Sequence, residues 1–552
     1  MITRKIEEYL RIALREAQSR GLLPEIDQID LGIEKSRVPE ADYSSTLPLR
    51  LARAAGSSPI DIANAIIVSA PKSEMIASID VAGPGFINMR LSDVWLTSQL
   101  DVIAQNGDSF GGSNLGDRTK VQVEFVSVNP TGPLTVGHGR SAILGDVISR
   151  IMLASGYEVQ REYYVNDTGN QVDLLGQSLR HHYLAAFGID VPMPSAGYQG
   201  EYVREWAGEI IRDHADKYVD LSADEQTIIF VEHGIEIALK SIRDVLSEMD
   251  ISFDNWFFER QLHNAGAIDE VISRLDSSGY VVRREGATWF TAAGRDDDGG
   301  NVLVKRTGDP TYLVADIAYH QDKFQNRGFM RVIDVMGADH HGHVPRMHSA
   351  LEALGVEASA LQYVLCQMVH VVVDGQPIKQ SKRSGEFELL SELVADVGPE
   401  ATRYFMLARD ANSQMEFDID LARNQTDDNP VHKIRYAHAR IVSILRRAEQ
   451  EGLLNQSAEL GSLQSADIDL IRIMVRFPDI VNACARDLEP HHLPHFALEL
   501  AGAFNSYYHS CKVISENQQI TRDRLEVVGA VRQVLANCLS LMGIDAPDEM
   551  RR

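Results

Sequence analysis

The sequence predicts an α/β protein built on a doubly wound parallel sheet, with an α+β unit before it and an all-α helical bundle after it. Three observations carry that prediction. Residues 121–140, VQVEFVSVNPTGPLTVGHGR, put an alternating apolar strand, a Pro/Gly turn and a helix start into one run. The run EVQREYY from Glu158 supplies a second strand after one helical segment, and strand, helix, strand is the doubly wound pattern, whose ligands sit at the carboxyl ends of the strands. From Asn429 onward the periodicity becomes that of long helices.

Taken in order, the first 20 residues carry Ile6, Leu10, Ala13, Leu14 and Ala17 at helical spacing until Gly21 stops them. Ile60 to Ile67 reads as a second helix, and Ile76 to Leu91 as two strands joined by Gly83-Pro84-Gly85. Turn-rich Asn106-Gly107-Asp108 and Gly111-Gly112-Ser113 then make a linker. In the central run, Asn129 to Pro133 cannot continue the strand, because two prolines remove backbone donors and Gly132 permits a reversal. His138 heads the segment Ile143, Val147, Ile148, Ile151, and a helix start of this kind suits a phosphate. Residues 180–300 hold two long helical patterns, Tyr202–Tyr218 and Asp224–Met249, and an acidic loop at Asp296 to Gly300, and read as an insertion. Tyr312 and Asp316, four apart, share a helix face. Val332 to Met336 is a strand ending in GADHHGH. Its three histidines lie on one short loop without a second ligand cluster nearby, so a ribose-binding Gly-x-Asp is preferred there to a metal, and no metal site is expected. Tyr363 to Val373 reads as the next strand, followed by the charged run IKQSKRSG. In the C-terminal helices Lys433, Arg440 and Arg447 recur every seven residues, with Arg435, His438 and Arg446 placed beside them.

At 552 residues the chain exceeds one core, and the pattern divides it into 1–112, 113–428 with the insertion at about 180–300, and 429–552. Hydrophobic content of 44% and charged content of 24% are those of a globular chain. The N-terminus lacks the pattern of a signal peptide and no apolar run reaches about 18 residues, so no membrane is expected and the cytoplasm is the expected location. Four cysteines, Cys366, Cys484, Cys511 and Cys538, show no CxxC spacing and read as buried thiols. The net charge of −26 argues against indiscriminate nucleic-acid binding, so an RNA partner requires a local basic face, and no DNA partner is expected.

The stretch EFVSVNPTGPLTVGHGR resembles the ATP-binding signature of class I aminoacyl-tRNA synthetases, and its flanks are similar to those of the arginyl members. The usual His-Ile-Gly-His core is here Thr135-Val136-Gly137-His138, with Thr135 in place of the first histidine. The run Lys379-Gln380-Ser381-Lys382 resembles the Lys-Met-Ser-Lys loop of that class. VAGPGFIN (81–88), Ala41-Asp42-Tyr43 and the C-terminal LMGIDAP resemble the N-terminal and anticodon-binding domains of the arginyl members. The resemblance implies a Rossmann-like catalytic domain that activates arginine with ATP, carried with Mg²⁺, to arginyl-adenylate and transfers it to the terminal adenosine of tRNA(Arg), with tRNA needed before activation. It implies phosphate contacts from Thr135, Gly137, His138, Lys379, Ser381 and Lys382, and adenosine contacts from Gly337, Asp339 and His340. Ser127, Asn129, Glu158, Tyr312 and Asp316 would meet arginine, and Lys433, Arg435, Arg440 and Arg447 the tRNA. From the residues alone Asp316 equally serves a helix N-terminus, the lysine run a solvated loop and the basic stripe a solvated face. The expected working form is a monomer. Two other readings are a non-catalytic tRNA-binding regulator, suggested by Thr135, and a stand-alone nucleotidylyltransferase, which would leave the outer domains idle.

Overall fold

The computed structural model describes residues 1–26, 30–291, 301–377, 389–453 and 461–550. At its centre five strands lie in the order Leu361–Cys366, Arg331–Gly337, Lys120–Phe125, Glu158–Val165, Asn255–Phe258, every adjacent pair parallel. Numbered along the chain, the order is 3-2-1-4-5 when read from Asn255–Phe258, and it reverses between Lys120–Phe125 and Arg331–Gly337. That reversal opens a crevice at the strands' carboxyl ends, the position where such sheets bind ligands. One face of Lys120–Phe125 carries Val121, Val123 and Phe125, all fully buried. Helix Val136–Ala154 packs there so closely that a Cβ on Gly145 would lie 2.1 Å from the Phe125 ring, which admits only glycine. Alternation turns Glu124 to the other face, where helix Tyr312–Gln321 and its continuing π-turn Asp322–Asn326 lie.

Two expectations change. The strand read over Tyr363–Val373 is two strands in different sheets: Leu361–Cys366 belongs to the main sheet, and Val369–Val373 pairs with Met415–Asp418 and Gln376–Pro377. Arg140 holds the break, its fully buried guanidinium donating to the carbonyls of Gln367 (2.9 Å), Asp410 (2.7 Å) and Ser413 (2.9 Å). The span 180–300 is likewise not one insertion, because Asn255–Phe258 inside it is the edge strand of the main sheet. Aromatic packing seats that strand, with the Trp256 ring 4.5 Å from Tyr163 and the neighbouring Phe253 ring 4.4 Å from Phe125. Before it come helices Glu201–His214 and Ala223–Glu248, and after it the hairpin Val281–Arg284 with Ala287–Phe290.

The N-terminal unit is a four-stranded antiparallel sheet, Ile33–Lys35, Tyr43–Ser45, Phe86–Leu91, Ile76–Ala82, covered by helices Ile2–Ser19, Leu47–Ala55 and Pro59–Val68. The C-terminal unit contains helices Pro430–Gln450, Ser465–Met474, Phe477–Asp487, His492–Ser510 and Gln518–Leu541. Asn429 starts the first of them, its Oδ1 accepting from the amides of Val431 and His432 ahead of Pro430. Asp479 of the C-terminal unit accepts from the free amides of Ile2 (2.9 Å) and Thr3 (3.2 Å), so the N-terminal and C-terminal units are joined. Cys366, Cys484 and Cys538 are buried free thiols, whereas Cys511 is only half-buried. Among the described residues no helix is long and apolar enough to cross a membrane.

Candidate functional site

The turn after the first strand is bent and pinned. Val126 and Ser127 have φ of +67° and +42°, a left-handed backbone that costs of order 1 kcal/mol or more at each non-glycine residue. Neighbouring strands hold them there. Ser127 Oγ donates to Glu124 Oε1 (2.9 Å) and accepts from the Tyr164 amide (3.0 Å), and the Tyr163 hydroxyl donates to the Val128 carbonyl (2.7 Å). Asn129 Nδ2 then donates to Gln171 Oε1 (2.6 Å), and Tyr202, from the added helix Glu201–His214, donates to the Thr131 carbonyl (2.9 Å).

At the helix start, the Thr135 amide donates to His138 Nδ1 at 3.0 Å. With Nδ1 accepting, the ring proton lies on Nε2. Burial holds the His138 pKa below its ordinary value, which keeps the ring neutral and leaves it one N–H donor. Gly137 is exposed, and an added Cβ would meet nothing nearer than Thr135 Oγ1 at 3.8 Å, so a ligand can approach the first-turn amides. Leu389 bridges to Thr135, and the Leu390 amide donates to the Leu134 carbonyl (2.9 Å). The described chain therefore resumes, at Leu389, beside the signature. Lys379, Ser381 and Lys382 themselves lie outside the described residues.

Beside the turn carboxylates gather around two tyrosines. Tyr164 donates to Glu259 Oε2 (2.9 Å), and burial followed by the charges of Glu259, Asp316 and Glu124 pushes its phenol far above its ordinary pKa. Tyr363 is raised likewise, by burial and then by Asp334, Asp316 and Glu124. Three carboxylates from three elements thus face one region between two tyrosines. Asp316 lies 3.0 Å from His343 Nε2, and the Tyr312 ring stands 5.6 Å from that of His343, so the predicted pair Tyr312 and Asp316 meets the histidine loop. The buried Tyr363 hydroxyl and His343 Nδ1 make no hydrogen bond to the described residues. Orphaned polar atoms beside a set of carboxylates fit a ligand that donates several hydrogen bonds and carries positive charge.

Gly337 ends its strand with Asp339 folded back over it, for a Cβ on Gly337 would lie 2.4 Å from Asp339 Oδ1. The Asp339 side chain stays exposed, 3.6 Å from His340 Nε2, at the same carboxyl edge. Glu158 is a correction. It begins its strand, paired with Lys120, and its side chain lies 4.0 Å from Arg118 at the amino edge. Seven residues of strand, roughly 23 Å, separate it from the crevice.

Sequence reasoning missed Glu124, Glu259, Tyr164, Tyr363 and a buried row to which Glu124 belongs. Tyr363 opposes Asp334, Asp334 opposes Glu124, Glu124 opposes Glu162, and Glu162 opposes Asn255. The signal was present: strands of a covered parallel sheet read as apolar runs, and three of these carry a carboxylate.

On helix Pro430–Gln450 the basic residues divide between two faces. Arg440 lies between the rings of Tyr436 (4.6 Å) and Tyr508 (4.9 Å) and donates to Asn505, and Arg447 is exposed beside Glu451. Arg435 comes two residues after Lys433, about 200° round the helix, and is a correction to the stripe. It pairs with Glu400 (3.1 Å) and donates to the Asp545 carbonyl. His438 meets the Pro547 carbonyl and Arg446 pairs with Glu549, so this second face holds the C-terminal tail.

Comparison with known proteins matches residues 4–91 to the arginyl tRNA synthetase N terminal domain, 99–423 to the catalytic domain of the class I (R) tRNA synthetases, and 434–550 to the DALR anticodon binding domain. The arginine–tRNA ligase of Moorella thermoacetica is 42% identical over 553 residues, covering 99% of each chain. That of Dehalococcoides mccartyi is 41% identical over 545 residues, covering 98% of each. The solved arginyl-tRNA synthetase of Thermus thermophilus superposes with a TM-score of 0.77 over 100% of both chains at 21% identity, a likeness of fold.

Proposed function

The chain belongs to the arginyl-tRNA synthetase family, and on that premise we propose how its residues divide the work of an arginine–tRNA ligase. The observation that carries the reading is the conjunction, at one topological switch point, of a signature helix start with carboxylates held beside it by Ser127, Tyr164 and His343. Arginine binds there with its guanidinium toward Asp316, Glu124 and Glu259, and with Tyr312 beside it. Ser127 and Asn129 direct its α-carboxylate at ATP. Adenosine lies along Gly337, Asp339 and His340, and ATP is carried as its magnesium complex.

In the first step a carboxylate oxygen of arginine attacks the α-phosphorus in line and pyrophosphate leaves. In the second, a terminal ribose hydroxyl of tRNA attacks the acyl carbon and AMP leaves. The protein's contribution is positioning and charge stabilisation. Neutral His138 donates from Nε2, the first-turn amides of Val136 and Gly137 add donors, and Lys379, Ser381 and Lys382 add positive charge and donors to the polyphosphate. Residues 1–112 and 429–552 hold the tRNA body, with Lys433, Arg440 and Arg447 on phosphates and the Tyr436 and Tyr508 rings available for base stacking. The enzyme works as a monomer in the cytoplasm.

The test is tRNA-dependent ATP–pyrophosphate exchange, and charging, with each amino acid in turn. Arginine alone is expected to support both. Lys382→Ala is expected to lower kcat for adenylate formation by about 10² to 10³, the loss for one donor to transition-state charge, with arginine affinity scarcely moved. Background exchange with tRNA still bound would make the chain a tRNA-binding regulator.

A further inference from the structure

The row of side chains across the sheet carries three carboxylates, and each has different company. Glu162, fully buried, accepts from Tyr319 (2.5 Å), Gln122 (2.9 Å) and Asn255 (2.5 Å) and pairs with Arg327. Asp334 has Lys323 at 3.2 Å and His320 Nε2 at 2.8 Å. Glu124 has Lys323 Nζ at 2.5 Å on one oxygen and the Ser127 hydroxyl on the other. Lys323 itself is fully buried and lies 4.1 Å over the Tyr319 ring. It comes from the π-turn, a widened turn of the kind found inside helices at functional sites. Among these carboxylates Glu124 alone reaches the substrate turn, and among the described residues the one cation in direct contact with it, Lys323, is shared with Asp334.

Resting on the reading of this site as the arginine pocket, we propose that Lys323 is a positioning residue for substrate recognition: it fixes the Glu124 carboxylate in place and in its charged form, so that Glu124 can meet the cationic side chain of arginine. The groups facing Glu124 are Lys323, His320 and Tyr319 from the helix and its π-turn, Asp334 and Tyr363 from one side of the sheet, and Glu162, held by Arg327, and Tyr164 from the other. Burial first, and then the Asp334 charge, push the Glu124 pKa up, with Lys323 opposing. Asp334 is also burdened by burial, yet Lys323 and His320 together hold it down to about 2. A lysine unavailable to Glu124 would leave a neutral acid facing a guanidinium.

The experiment uses the full chain with its tRNA and measures arginine KM by pyrophosphate exchange and arginine binding by calorimetry, from pH 6 to 8.5. Lys323→Met is expected to raise arginine KM by about 30-fold at pH 7, with the penalty shrinking as pH rises and Glu124 ionises. The KM for ATP and the inhibition constant of citrulline, which carries no side-chain charge, are expected to stay within about 2-fold. Adding Asp334→Asn removes the like charge and is expected to restore part of the arginine affinity. Asp334→Asn alone frees Lys323 for Glu124, so its arginine KM at pH 6 is expected to be about 3-fold below wild type. This second variant decides the matter if Lys323→Met does not fold. A penalty independent of pH, an equal loss for citrulline, or an unchanged or higher KM at pH 6 in Asp334→Asn overturns the proposal. Failure of the wild type to use arginine would instead overturn the assignment of the pocket.

Discussion

Asp316 and Tyr312 were legible as a pair because helical spacing of four places two side chains on one face wherever the helix lies. Glu124 was not, since a carboxylate in the middle of VQVEF looks like the polar half of an ordinary alternating strand until the sheet is known to be covered on both faces. Glu158 was misplaced for a different reason. It came from the family resemblance, against the rule that a doubly wound sheet meets its ligands at the carboxyl ends, whereas the first residue of a parallel strand lies at the far edge. The chemistry of Asp316 leads to a prediction at this scale. Its carboxylate supplies charge and hydrogen bonds that citrulline cannot fully use, and sites built on such pairing discriminate by about 10⁴ to 10⁵. Asp316→Ala is therefore expected to raise arginine KM and to reduce the preference for arginine over citrulline to within about 10². Steady-state exchange with both ligands checks it, and an unchanged ratio would remove Asp316 from the pocket.

Between elements the decisive quantity is closeness of approach. Helix Val136–Ala154 can deliver His138 and the first-turn amides to the crevice only because Gly145 and Gly139 let it settle, Gly139 lying where a Cβ would be 2.7 Å from Leu390. Gly145→Ala would force the helix away from Phe125. Overpacking of this kind costs about 1–3 kcal/mol. Urea unfolding is expected to show that loss, and exchange assays a lower kcat, because the misplaced amides serve the phosphates. Wild-type kcat in this variant would mean that helix position is not limiting. Helix Pro430–Gln450 shows what periodicity does and does not reveal. Spacing by seven located the face of Lys433, Arg440 and Arg447, while the assignment of Arg435 to that face ignored the 100° per residue that carries it to the tail. Replacing Lys433, Arg440 and Arg447 together by Ala is expected to weaken tRNA binding and reduce its salt slope by up to about three phosphates. Arg435→Ala is expected to leave the slope unchanged and lower stability instead. The reverse pattern would assign the RNA contact to the tail side.

For the whole molecule, the three units are tied by buried polar contacts whose partners lie hundreds of residues apart, which no local pattern announces. Arg403 donates to the carbonyls of Met249 and Met542 and to buried Asp146. His438 joins the C-terminal helices to the tail at Pro547 (2.9 Å). Burial is the main reason that the pKa of His438, like that of His138, lies below the ordinary 6.5. The linkage has a definite sign. The unfolded chain protonates these rings at about 6.5, while the folded chain resists until the pH is lower, so folding excludes protons between those two values. Stability is then full above about pH 6.5 and falls as the pH drops below it, by up to about 1.4 kcal/mol per pH unit for each such ring, until the folded pKa is reached. His438→Asn keeps a donor near the Pro547 carbonyl and removes the titration. Its denaturation midpoint is expected to fall less steeply than that of wild type from pH 6.5 to 5, by the share of one group. Parallel curves for variant and wild type across that range would show that His438 takes up its proton without loosening the tail.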